Sequence, residues 1–106
     1  MSAADLPLSE QYRVIAKRWV EADAAANLLE ESKSAFLSQL MAKQGDIAVS
    51  KAELAVKSSD EWSAYVVKMT DARKAASLLK VQLDFIRMRL SEWQSAEATR
   101  RAEMKL

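Results

Sequence analysis

The sequence predicts an all-α protein: a long antiparallel helical hairpin of coiled-coil character with a short connecting helix, associating into a helical bundle. Three observations predict it. The 106 residues include one Gly and one Pro, which leaves almost no turn-forming material, while Ala, Leu, Glu, Lys, Arg, Gln and Met, the strong helix formers, dominate. Two long stretches carry uninterrupted heptads with apolar residues at positions a and d, a spacing that specifies coiled-coil packing rather than a generic amphipathic face. The single glycine lies between those stretches, and a short connector makes the helices it joins antiparallel. One helical domain over residues 1–106 follows.

Leu6 to Ser9 form the entry to the first helix: Pro7 suits the approach, and Ser9 has the side chain of an N-cap. The helix is predicted over 9–44, some 35 residues or ~53 Å. Its a positions are Tyr12, Trp19, Ala26, Lys33 and Leu40, and its d positions Ile15, Ala22, Leu29 and Phe36. Gly45 then stands where a left-handed residue ends a helix, with Lys43 complementing the dipole in the last turn.

The connector and short helix occupy 45–58. Ser50-Lys51-Ala52-Glu53 has the spacing of a capping box and predicts a short helix over Lys51 to Lys57. Ser58-Ser59-Asp60-Glu61 repeats that spacing and predicts a last helix over 59–104, on the order of 65 Å long. Its a positions are Trp62, Met69, Ala76, Leu83 and Leu90; its d positions are Tyr65, Ala72, Leu79, Ile86 and Trp93.

Matching large residues to small ones selects a register that sets Ala22 against Leu83, Ala26 against Leu79, Leu29 against Ala76 and Lys33 against Ala72. Bulky layers then fall at the ends: Tyr12 with Trp93, Trp19 with Ile86, Phe36 with Met69 and Leu40 with Tyr65. The same register pairs Glu30 with Arg73 and Asp23 with Lys80. Lys33 interrupts the seam with a charge, which snorkelling past the small Ala72 accommodates.

Charge and composition exclude several functions. A formal net charge of +1 supplies no global field towards nucleic acid or membrane, so any basic site is local. His and Cys are both absent, which removes disulfides, thiol nucleophiles, the usual zinc ligands and imidazole acid–base chemistry. No metal or other cofactor is expected. The paired acids Glu30 and Glu31, or Asp60 and Glu61, point different ways round a helix, and no Gly-rich phosphate loop exists. No apolar run approaches the ~20 residues of a membrane span, and MSAADLPLSEQ lacks the basic and apolar regions of a signal peptide. A soluble, cytoplasmic protein is expected, and not an enzyme.

The last helix carries a second apolar row. Leu78, Val81, Phe85 and Met88 fall at c and f, opposite the a/d seam, so LLKVQLDFIRMRL is apolar almost all round. Either MSAADLPL or the short helix folds over this row, or it is a partner or self-association surface together with Trp93, a homodimer being the simplest closed solution. The predicted register also gathers Arg18 and Arg89 with Lys17 and Arg87. Such cations either splay into solvent or contact a phosphate or carboxylate. Arg100, Arg101 and Lys105 extend that set along the tail, where residues 99–106 overhang the first helix and either fray or dock. A helix-turn-helix over SKAELAVKSSDEW is disfavoured, because its second helix opens on Asp-Glu-Trp and repels phosphates.

The tail also carries a resemblance. Trp93, Glu97, Ala98, Thr99, Arg101, Ala102, Glu103 and Met104 form a W-x-x-x-E-A-T-x-R-A-E-M pattern, preceded by S-K-A-E and a Ser-rich step before Trp62. From about Tyr12 onward the chain resembles a group of small proteins encoded by tailed bacteriophages and prophages, whose genes tend to lie among early genes for recombination and DNA replication. The resemblance implies an accessory role in phage nucleic-acid metabolism, in the host bacterial cytoplasm, and supplies no catalytic residues. The expected function is a non-enzymatic, dimeric adaptor or modulator of a phage or host protein. The alternatives are direct contact with the nucleic-acid backbone through Arg18, Arg87, Arg89, Arg100 and Arg101, or a structural part of a phage particle.

Overall fold

The computed structural model of the chain describes residues 5–105. They form four α-helices: α1 (Leu8–Glu31), α2 (Lys33–Ala42), α3 (Val49–Lys57) and α4 (Asp60–Met104). No strand occurs among the described residues. The first four residues, half of the MSAADLPL segment, and the final Leu106 lie outside the described residues.

The first predicted helix is present but bent at Ser32. The Ser32 N–H donates to the Leu28 carbonyl at 3.0 Å and the Phe36 N–H donates to the Ser32 carbonyl at 2.9 Å, so the helical ladder runs through the bend. Ser32 has φ −83° and ψ −6°, and a ψ this far from the helical value of about −42° turns the axis without breaking the ladder. The helix also begins at Leu8, one residue ahead of the predicted cap. Gln11 closes that end, its N–H donating to the Pro7 carbonyl at 2.9 Å and its Nε2 to the Leu6 carbonyl at 2.7 Å. Ser9 lies inside the first turn.

Gly45 does what its position predicts, with φ +83°, just past the turn in which the Gln44 N–H reaches the Met41 carbonyl at 3.0 Å. A side chain here is opposed by the left-handed backbone and not by a neighbour, since nothing lies within 4 Å of an added Cβ.

The first capping box is not made. α3 starts at Val49 with Ala48 as its N-cap, which places Ser50 within the helix, and Glu53 accepts from Lys57 Nζ at 2.7 Å instead. At the next step Ser59, rather than Ser58, is the cap. Its Oγ accepts from the Trp62 N–H at 3.2 Å and donates to the Val56 carbonyl at 2.6 Å, so one hydroxyl ties the end of α3 to the start of α4. Asp60 and Glu61 in the first turn favour the positive end of the dipole. α4 then runs for 45 residues, ~67 Å at the usual rise.

The chain divides into two compact units, Ala22–Ala76 and the remainder. In the Ala22–Ala76 unit, Leu40, Val56 and Trp62 form a buried cluster against which Phe36, Leu37, Met41 and Val66 pack. Phe36 stacks on Tyr65 with centroids 4.5 Å apart and on Trp62 at 6.4 Å. The Tyr65 hydroxyl donates to the Leu29 carbonyl. Ala26 and Ala76 are 0% and 1% exposed. Lys33 does not pass Ala72; it is exposed, and its Nζ sits 5.9 Å from the centre of the Trp62 ring. In the other unit, Leu83 and Ile86 are buried, Lys80 Nζ lies 5.1 Å from the centre of the Trp19 ring, and Arg87 donates to the Tyr12 hydroxyl at 3.0 Å.

In each unit the facing residues rise in number on one helix as they fall on the other, which is antiparallel pairing. The register differs from the predicted one by about one heptad. Phe36 meets Trp62 and not Met69, Tyr12 meets Arg87 and not Trp93, and Leu40 packs with Val56 and Trp62. A seam of strict heptads is self-similar under a shift of seven, so periodicity alone cannot choose between the two. The observed choice brings Ala22 and Ala26 level with Ala76 and Ala72, small against small, and sets the aromatic residues against one another.

Candidate functional site

The outer face of α4 is the most exposed apolar surface the sequence reading singled out. Leu78, Val81, Phe85 and Met88 are 58%, 65%, 58% and 60% exposed. They lie three and four residues apart, so helical geometry stacks them on one side of α4. Among the described residues nothing folds over them. Leu6 and Leu8, on which half of the covering alternative rested, are half-buried, and Leu8 lies beside Leu90 and Trp93. α3 buries Ala52 and Val56, and Val56 joins the Leu40 and Trp62 cluster of its own unit.

Trp93 belongs to a different surface. It is 60% exposed despite its d position, and with Pro7, Leu8, Ser9 and Leu90 it lines an open apolar groove of about 410 Å³. The heptad pattern gives no signal for this groove, because the predicted register places Tyr12, not the Pro7 entry, beside Trp93. Leu8 beside Leu90 also means that α4 outruns α1 from about Trp93, sooner than predicted. The overhang is helical to Met104.

The candidate cations are dispersed. Arg87 is held at Tyr12, with Asp84 3.9 Å away, and the Tyr12 hydrogen bond raises its pKa above the ordinary arginine value. Arg89 lies over the Phe85 ring at 6.0 Å, which adds a cationic edge to the apolar row. Arg18 is exposed and neighbours Trp19 at the level of Lys80, nine residues from Arg89, or ~13 Å along the helix. The predicted gathering of Arg18 with Arg89 is therefore absent, as a direct result of the register shift. Arg100 is paired with Glu97, and Arg101 is exposed.

The strongest polar constellation is one the sequence showed only in part. Arg73 Nε donates to Glu30 at 2.7 Å, its Nη1 to Asp23 at 2.7 Å and its Nη2 to Asn27 at 2.6 Å. The predicted Glu30–Arg73 pair is present; Asp23 goes to the same arginine, while Lys80 turns to Asp84 at 3.4 Å. The hydrogen bonds from Arg73 lower the Glu30 pKa, and those to Glu30 and Asp23 raise that of Arg73.

Arg73 makes four hydrogen bonds to Asp23, Asn27 and Glu30, so the carboxylates of this cluster are engaged in holding α4 to α1. Among the described residues no group of three or more His, Cys, Asp or Glu is placed to hold a metal ion, and no helix is long and apolar enough to cross a membrane. What the outer face of α4 can do is remove apolar area from water against another surface. No family model, curated protein or solved structure matches the chain.

Proposed function

We propose that the chain is a non-enzymatic helical adaptor, a long antiparallel hairpin that acts as a homo-oligomer and docks a protein partner. The observation that carries this reading is the exposed row Leu78, Val81, Phe85 and Met88: four large apolar side chains held on one face of a long helix are the signature of a surface completed by another protein. The resemblance of the tail to small tailed-phage proteins supplies the setting, modulation of a phage or host protein of DNA recombination or replication in the bacterial cytoplasm. Trp93 and the groove beside it offer a second apolar surface, separate from the row.

Direct binding of the phosphate backbone is the competing function, carried by Arg18 and Arg101, which are exposed and make no ion pair among the described residues. The two readings separate in a titration of fluorescently labelled single- and double-stranded DNA with the protein at low and physiological salt. The adaptor reading predicts no binding at low salt. Micromolar binding that weakens steeply with salt and fails in Arg100→Glu/Arg101→Glu overturns it in favour of a nucleic-acid binder.

A further inference from the structure

The outer row has a symmetry that selects its occupant. Along the c and f positions α4 reads Lys74, Leu78, Val81, Phe85, Met88, Glu92, one cation, four apolar residues, one anion. When two such helices lie antiparallel about a two-fold axis near Leu83, Leu78 meets Met88 and Val81 meets Phe85. The same operation brings Lys74 to Glu92, and does so twice. A shift of one heptad in either direction sets Lys74 against Phe85 or Glu92 against Val81, burying a charge on an apolar side chain. A parallel arrangement keeps the apolar contacts but faces Lys74 with Lys74 and Glu92 with Glu92, which is repulsive.

The other charges near the row are already engaged within the chain. Lys80 and Arg87 reach Asp84, and Arg89 lies on Phe85. Lys74 and Glu92 are exposed and make no hydrogen bond or ion pair among the described residues, so the two charges that the symmetry pairs are the two left uncommitted. We propose that the row is the seam of a homodimer in which the α4 helices of two copies pack antiparallel, with Lys74 of each facing Glu92 of the partner subunit. The inference deepens the adaptor reading, on which it rests, by naming a second copy of the chain as occupant of this face. Because c and f alternate at three and four residues, the packing is of the left-handed, shallow-angle type, about +20°.

Sedimentation equilibrium of the full chain tests it, comparing wild type with Lys74→Glu, Glu92→Lys and the double reversal, each checked for helicity by circular dichroism. Wild type is expected to be a reversible dimer. Each single reversal turns two attractions into repulsions and raises the dissociation constant roughly tenfold, and the double reversal restores it to within about threefold of wild type. A wild type that stays monomeric to the highest soluble concentration overturns the proposal, as does a dimer indifferent to all three variants or one that the double reversal weakens further. DNA titration separates the two readings: a dimer that binds DNA removes the adaptor reading and keeps the seam, whereas a monomer that binds none removes the seam and the homo-oligomer and leaves the docking of a protein partner.

Discussion

Arg73 ties α4 to α1 through three side chains, and its geometry explains why lysine would not serve. Its planar fork sends four hydrogen bonds to Asp23, Asn27 and Glu30, which succeed one another at intervals of four and three residues on α1. Arg73→Ala leaves the Asp23 and Glu30 carboxylates, two turns apart on α1, without their shared cation and is expected to lower the melting temperature, with Arg73→Lys intermediate and added salt narrowing the differences. The pH dependence follows from Glu30, whose pKa lies below its ordinary value of 4.5 in the folded state. A depressed carboxylate contributes stability that is fully present above the unfolded value and lost as pH falls through the folded one. Thermal melts of wild type should therefore lose stability below pH 4.5, and Glu30→Gln should start lower and lose less over the same range. Glu30 and Arg73 were legible as a pair because they flank both seams with opposite sign. The capture of Asp23 by the same arginine was not, since Lys80, its expected partner, is drawn to Trp19 and Asp84.

At the scale of elements, helix existence was written in composition and periodicity, while helix ends depended on atoms that sequence patterns describe poorly. Ser50 and Ser59 both head an S-x-x-E or S-x-x-W run, yet only Ser59 caps, because the chain enters α3 from Ala48, whose carbonyl accepts from the Ala52 N–H, and Ser50 lies inside that first turn. The bend at Ser32 left no sequence mark beyond one serine in a helix. The element boundary most firmly encoded is Gly45. Gly45→Ala puts a Cβ on a left-handed backbone and is expected to cost about 1 kcal/mol, read as a lower urea midpoint with an unchanged slope. No contact is lost in that substitution, so a larger change, or a change in slope, would mean that the turn between α2 and α3 has rearranged.

For the whole chain, the inner and outer faces of α4 divide two tasks. The a/d face is consumed within the chain up to Trp93: Trp62, Ala76, Leu83 and Ile86 are buried, and Trp93 is exposed. The c/f face is left in water by every described element. The heptads announced both faces, and the excess of apolar residues over one seam announced a second apolar face left exposed. They could not give the register, because a seven-residue slip preserves the pattern. With the register went the placement of Arg18 and Trp93, whereas the exposure of the outer row depends on the face of α4 alone and is found as expected. The central claim, that the outer row is an association surface and not part of the internal packing, is tested most directly by light-scattering mass and circular dichroism of Phe85→Glu/Met88→Glu beside wild type. The account predicts that the variant has half the mass of wild type and keeps its helicity. An unchanged mass with intact helicity would contradict it.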